Sequence, residues 1–195
     1  MSAGLATYVE KIRACRLCAE DMPNAPNPIL QVHESARILV VGQAPGNLAD
    51  TTGKPFNDPS GVRLRDWMGV TDEEFYDARR VAIVPMGFCF PGYDRNGGDI
   101  PPMKRCAKEW REGLLARLPE IRVTLLVGSY AQRWHLGPRY RKSLRETVLH
   151  WKDYISDHMF TTPHPSWRNN AWLKANPWFE SEVLPALRAS VRSCL

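Results

Sequence analysis

Three short runs of apolar, largely β-branched residues constrain the architecture most: Arg37-Ile-Leu-Val-Val-Gly42, Val81-Ala-Ile-Val-Pro85 and Val123-Thr-Leu-Leu-Val-Gly128. Each is continuous rather than alternating and stops at Gly or Pro, the pattern of strands covered on both faces in a parallel sheet. A fourth strand is expected at Met159-Phe-Thr-Thr162, just before Pro163-His164-Pro165. Helical patterns fill the intervals: Gly61 to Met68, Cys106 to Leu118, Ser129 to His135, Ser143 to Trp151, and Pro177 to Val191 with Pro185 inside it. Ser129 is expected to cap its helix. Alternating strands and helices predict an α/β fold, a three-layer α/β/α sandwich around a short, mainly parallel four-stranded sheet. A single domain over residues 1–195 is expected. In such folds chemistry gathers beyond the carboxyl ends of the strands. The loops there are Gln43 to Ser60, Gly87 to Pro102 and the segment carrying His164.

Apolar residues make up 44% of the chain and charged residues 24%, proportions of a folded globule rather than a disordered chain. No apolar run reaches the ~18 residues of a membrane span, and Met1 to Arg16 lacks the apolar core of a secretory signal. A cytoplasmic protein with no membrane partner is the expectation. The net charge of +5 suits a polyanion, whose phosphates release counterions on binding, and is equally an ordinary soluble surface. Pro23-Asn-Ala-Pro-Asn-Pro28 reads as a connector between an N-terminal helix and the first strand.

After the first strand comes Gly42-Gln43-Ala44-Pro45-Gly46. Glycines let a backbone turn sharply and leave amide N–H groups free for an anion or a carbonyl. The segment is neither a dinucleotide fingerprint nor a P-loop, and by itself it could be only a tight turn. Further on, Gly53-Lys54-Pro55-Phe56-Asn57-Asp58-Pro59-Ser60-Gly61 presents an aromatic ring beside a carboxylate. Phe56 could stack on a flat base and Asp58 could hold a water, or Phe56 could plug the core and Asp58 cap the next helix. Near the C-terminal end, His164-Pro165-Ser166 fixes an imidazole on a rigid loop, followed by Trp167-Arg168-Asn169-Asn170.

Together these segments resemble the two motifs of the uracil-DNA glycosylase superfamily, most closely its iron–sulfur branch. That branch reads Gly-Glu-(Ala/Gly)-Pro-Gly, then Gly-(Arg/Lys)-Pro-Phe, then His-Pro-Ser. The resemblance implies removal of uracil from DNA by hydrolysis of the N-glycosidic bond, leaving an abasic site. It assigns base stacking to Phe56, places Gln43 where the family has Glu, and gives His164 a hydrogen bond to the departing base. The amide of Ala44 and the side chain of Asn57 would contact the base. Ser166, Trp167, Arg168 and Asn169 would meet DNA, with Trp167 and Arg168 entering the gap left by the flipped nucleotide and Asn170 joining Asn169 on phosphates. Two positions depart from the pattern. Ala44 stands where the archetype has a water-activating Asp, which passes that role to Asp58, with Asp50 second. Pro85 stands where most members have a base-reading Asn, which passes that role to Asn57 or to backbone N–H groups near Met86 and Gly87.

Cys15-Arg-Leu-Cys18 and the separated pair Cys89 and Cys106 offer four thiolates. Structural zinc favours two tight knuckles, whereas a [4Fe–4S] cluster accommodates such spacing. Zinc or free thiols remain the alternatives. The resemblance implies a structural [4Fe–4S] cluster on Cys15, Cys18, Cys89 and Cys106, with Cys194 a bystander. The expected partner is uracil-containing DNA and the expected state a monomer. Ala44 and Pro85 motivate one rival, a DNA-binding or damage-sensing protein with reduced catalysis. The Gly-rich loop motivates another, a hydrolase or transferase of free nucleotides.

Overall fold

The computed structural model describes residues 1–195. Four strands, β1 (Ile38–Val41), β2 (Val81–Ile83), β3 (Val123–Val127) and β4 (Met159–Thr162), form one all-parallel sheet in the order β2-β1-β3-β4. The chain leaves β1 toward one edge and returns to β3 on the other side, so the order reverses between β1 and β3. Side chains alternate between two cores of 20 buried residues each: Leu39, Val41 and Leu126 face one, Ile38, Val40 and Leu125 the other.

Helices α1 (Ala3–Arg13), α5 (Lys104–Leu115) and α6 (Gly128–Leu136) cover the first face, through Leu5, Val9, Ile12, Leu114 and Ala131. Helices α3 (Pro59–Met68), α4 (Asp72–Tyr76) and α9 (Leu184–Arg192) cover the second, through Leu64, Met68, Phe75 and Leu187. Helices α2 (Asn47–Thr52), α7 (Leu144–Leu149) and α8 (Asn170–Ala175) complete the set. The α/β sandwich expected from the apolar runs is the observed fold. No helix is long and apolar enough to cross a membrane.

Local chemistry explains where boundaries moved. α3 starts at Pro59, whose missing N–H costs nothing in a first turn, and the Asp58 carboxylate accepts the Gly61 N–H at 2.9 Å. Ser129 does not cap α6. That helix grows straight out of β3 through Gly128 at φ 81°, and no side chain caps it. The C-terminal segment is one continuous helical run with two windings. A π-turn spans Phe179–Val183 and α9 follows, with Pro185 in its first turn, where a proline needs no donor. α2 lies inside the expected Gln43–Ser60 loop, α4 and α8 fall in stretches assigned to no element, and α4 carries a full capping box between Thr71 and Glu74.

Candidate active site

A cavity of about 970 Å³ opens at the carboxyl end of the sheet. It lies where parallel α/β sheets bind ligands and is roughly large enough for a nucleotide-sized ligand. Its walls come from the segments after β1, β2 and β4. Gln43, Ala44, Phe56, Asn57 and Asp58 line one side, and His164, Ser166, Trp167, Arg168 and Asn169 the other. Residues separated by about 120 positions therefore meet around one space, with Ile83 and Pro85 also on its wall.

Phe56 is held in an unusual conformation. Its φ of 52° lies in the left-handed region, which a non-glycine residue adopts only when its surroundings hold it there. The hold is visible: its carbonyl accepts from Tyr76 Oη at 3.1 Å and from the Arg65 guanidinium at 3.2 Å. Arg65, nearly buried, is fixed in turn by Asp72 at 2.6 Å. Gly42 lets the ring lie close to the β1 loop, since a Cβ there would meet Phe56 Cζ at 3.0 Å. Gly61 lets α3 start against the Phe56 carbonyl, 1.7 Å from where a Cβ would stand. Arg65 and Tyr76 had no signal in the sequence, because only the tertiary fold brings them to this carbonyl.

His164 has a defined tautomer. The Ser166 N–H donates to its Nδ1 at 3.2 Å, so the proton of the neutral ring sits on Nε2. Burial pushes its pKa below the ordinary imidazole value, against the attraction of Asp58 and Asp99, and keeps the ring uncharged. The Asn169 amide donates to the His164 carbonyl at 2.8 Å, and Arg63 donates to Ser166 O at 3.3 Å and Asn170 Oδ1 at 2.9 Å. Arg63, also on the cavity wall, was missed in the sequence because it reads as an exposed helix cation. Trp167 is 69% exposed at the mouth, with the Arg168 guanidinium 5.2 Å from its ring centre.

The N–H groups of Gln43 and Ala44 have no acceptor within the protein and lie on the cavity wall. Neutral donors thus line both sides, suited to a carbonyl that gains negative charge. The Gln43 amide donates to Ile100 O at 3.3 Å, and the Asn57 amide to Thr52 Oγ1 at 3.4 Å.

Two expectations change. The Met86 and Gly87 N–H groups donate to Gly42 O and Gln43 O at 2.9 and 3.0 Å, so neither is free to read a base. Gly87 faces the cysteine pocket instead. Asp50 sits on α2, away from the cavity wall, so it does not serve as the second carboxylate. Pro85 presents a ring to the cavity, and its carbonyl turns away to accept from Arg111 at 2.9 Å. Arg111 is wholly buried (0% exposed), bonded also to Val84 O and to His135 Nε2 at 3.1 Å each.

A second, largely apolar pocket is lined by Cys15, Cys18, Cys89 and Cys106 together with Ile12, Phe88 and Trp110. Burial and the neighbouring thiols push Cys89 up to about 12, and burial pushes Cys106 up to about 11. The Leu17 and Phe88 N–H groups donate to Cys15 and Cys106 Sγ at 3.5 and 3.4 Å. No three His, Cys, Asp or Glu side chains gather tightly enough to hold a single metal ion. Four thiols lining one largely apolar pocket are a donor set of the kind iron–sulfur clusters use. Cys194 lies in the opposite core, apart from these four.

A sequence model described as the Uracil DNA glycosylase superfamily matches residues 31–188. The chain belongs to this superfamily. A solution NMR structure from Methanosarcina acetivorans, of a protein provisionally named a uracil DNA glycosylase, is similar at 16% identity. It covers 82% of this chain and 93% of its own, with a TM-score of 0.47. Within the superfamily the stretch from Gln31 onward contains both motif loops and the whole sheet.

Proposed function

We propose that the protein is a monofunctional uracil-DNA glycosylase, a monomeric cytoplasmic enzyme that hydrolyses the N-glycosidic bond of uracil and leaves an abasic site. The observation that carries this reading is the convergence of Phe56, the Nε2–H of His164 and the free amides of Gln43 and Ala44 on one cavity. Extrusion of a base costs about a few kcal/mol, least for mispaired or single-stranded bases. Inside, the Phe56 ring stacks on the pyrimidine. As the C1′–N1 bond breaks, charge grows on the base, and preorganised donors of this kind contribute about 3 kcal/mol each to the transition state. A neutral His164 is suited to this, because Ser166 holds its Nδ1 as acceptor and leaves Nε2–H as the donor. Asp58 supports the cationic sugar through the oxygen not engaged with Gly61. Asn57 is the remaining side chain for the base edge.

Trp167 and Arg168 are suited to fill the vacated stack, and Ser166 and Asn169 to meet the backbone. Cys15, Cys18, Cys89 and Cys106 would hold a [4Fe–4S] cluster. Its contribution there is structural, tying the N-terminal segment to the loop after β2 beside α5. The charges of Arg105 near Cys18 and Arg111 near Cys106 favour an anionic group in that place.

The test uses single- and double-stranded oligonucleotides carrying one uracil, treated with alkali after incubation. Strand scission at the uracil is expected. A mobility shift without scission would replace the glycosylase reading with that of a DNA-binding protein on this scaffold, the alternative that Ala44 and Pro85 favour.

A further inference from the structure

Asp99 is a cavity-lining group that neither motif supplies. Its carboxylate has no hydrogen-bonded partner and looks onto the space shared with His164 and Asp58. The loop that carries it is built rather than loose. Tyr93 and Asp99 pair as an antiparallel bridge, the Asp94 N–H donates to Gly98 O at 2.7 Å, and the Ile100 N–H donates to Gly92 O at 3.0 Å. Asp94 Oδ1 accepts the Asn96 and Gly98 N–H groups at 2.8 and 2.9 Å. Two bonds to the motif loops bracket Asp99. Arg168 donates to Gly97 O at 3.2 Å on one side, and Gln43 donates to Ile100 O on the other. The first and last loops of the site thus hold the hairpin that delivers this carboxylate.

We propose that Asp99 is a catalytic carboxylate of this cavity, the group that takes the proton of the attacking water. The proposal rests on the glycosylase reading above. The C1′–N1 pair leaves with the base, the water oxygen bonds to C1′, and one water proton passes to Asp99. That proton is then returned to the base or to solvent, so uracil-deoxyribose and water give uracil and an abasic sugar. Asp58 is the poorer candidate for this step, since one of its oxygens already accepts the Gly61 N–H. The titratable groups facing Asp99 are the neutral imidazole of His164 and the charged Arg168, Asp58 and Asp94. Asp99 is exposed at the cavity, but partial desolvation there, aided by the two aspartates, outweighs Arg168 and His164 and raises its pKa above the ordinary carboxylate value. A base so tuned binds the water proton more readily, and the rate rises with pH as Asp99 ionises.

The experiment measures single-turnover uracil release from a single-stranded oligonucleotide, from the carboxylate range up to neutral pH. It compares the wild type with Asp99→Asn and Asp99→Glu, alongside DNA affinity and melting temperature. Asp99→Asn is expected to lower the rate about 100-fold or more, to flatten the acid limb, and to leave affinity and melting unchanged. Asp99→Glu recovers part of the rate. Full activity and an unchanged acid limb in Asp99→Asn would overturn the role of Asp99 while leaving the glycosylase reading intact. Equal loss in both variants with lower melting temperatures assigns Asp99 to the scaffold and overturns the proposal. A wild type that releases no uracil overturns both.

Discussion

At the scale of single residues, Asp58 and His164 carry different mixtures of structure and chemistry. Asp58 caps α3 and faces the cavity. Asparagine caps as well as aspartate but brings no charge, so Asp58→Asn is expected to keep the melting temperature and slow single-turnover release. Asp58→Ala should do both harms, with a stability loss of about 1 kcal/mol. Equal melting temperatures in the two variants would remove the capping role. His164→Ala is expected to cut the rate about 100-fold or more with DNA affinity nearly intact, the loss of one preorganised donor. Both residues were legible in the sequence because each sits beside prolines in a short motif. Asp99, Arg63 and Arg111 were not. Asp-Arg-Asn-Gly-Gly-Asp reads as an ordinary turn, and charged positions on a helix read as its solvent face. Arg111 breaks that rule because two strand-end carbonyls and a neutral imidazole replace water around its guanidinium.

At the scale of elements, the sequence foretold all four strands, three as apolar runs buried on both faces and β4 as the short Met-Phe-Thr-Thr segment just before Pro163. It did worse with short helices. α2 and α8 hold six residues each, too few for a periodic stripe, and stand on loops tied to the site. The junction of Phe56 with α3 is the element-level feature most open to test. A methyl group at Gly61 collides with the Phe56 carbonyl itself. The ring, the Arg65 and Tyr76 bonds and the helix start must then shift together. Gly61→Ala is expected to lower stability by ~1–3 kcal/mol and to weaken uracil release further. Urea unfolding and the single-turnover assay would check it, and a variant indistinguishable from wild type would contradict the packing described.

Across the whole molecule, two partly buried imidazoles make acid a threat. Burial and Arg111 push His135 down to about 3, and burial lowers His164. Below about 6.5 the unfolded chain binds protons at these rings that the folded chain refuses. Stability therefore falls as pH falls, by ~1.4 kcal/mol per pH unit for each ring so affected. For His135 the fall continues until its folded value is reached. The urea midpoint is expected to drop between neutral and mildly acidic pH, and to drop less in His135→Gln, which retains an acceptor for Arg111. An equal drop would assign the acid sensitivity elsewhere. The proposed cluster belongs to this scale too. Purified protein is expected to carry iron and sulfide and to lose both, with a lower melting temperature, in Cys106→Ala. The four cysteines were readable as a set, since they are the only ones besides Cys194. Their shared pocket needed the packing of α1 against α5.

The two glycines around Phe56 differ in what obstructs them, and that difference orders the routes by which this pocket can change during evolution or engineering. At Gly42 the obstacle is the tip of a ring, and at Gly61 it is main chain. Shrinking Phe56 to leucine would open position 42 to a side chain, so that the double change is milder than the glycine change made first. Position 61 gains nothing from the same trimming. A library that varies these three sites together should recover new residues at 42 only alongside smaller ones at 56, and glycine at 61 throughout.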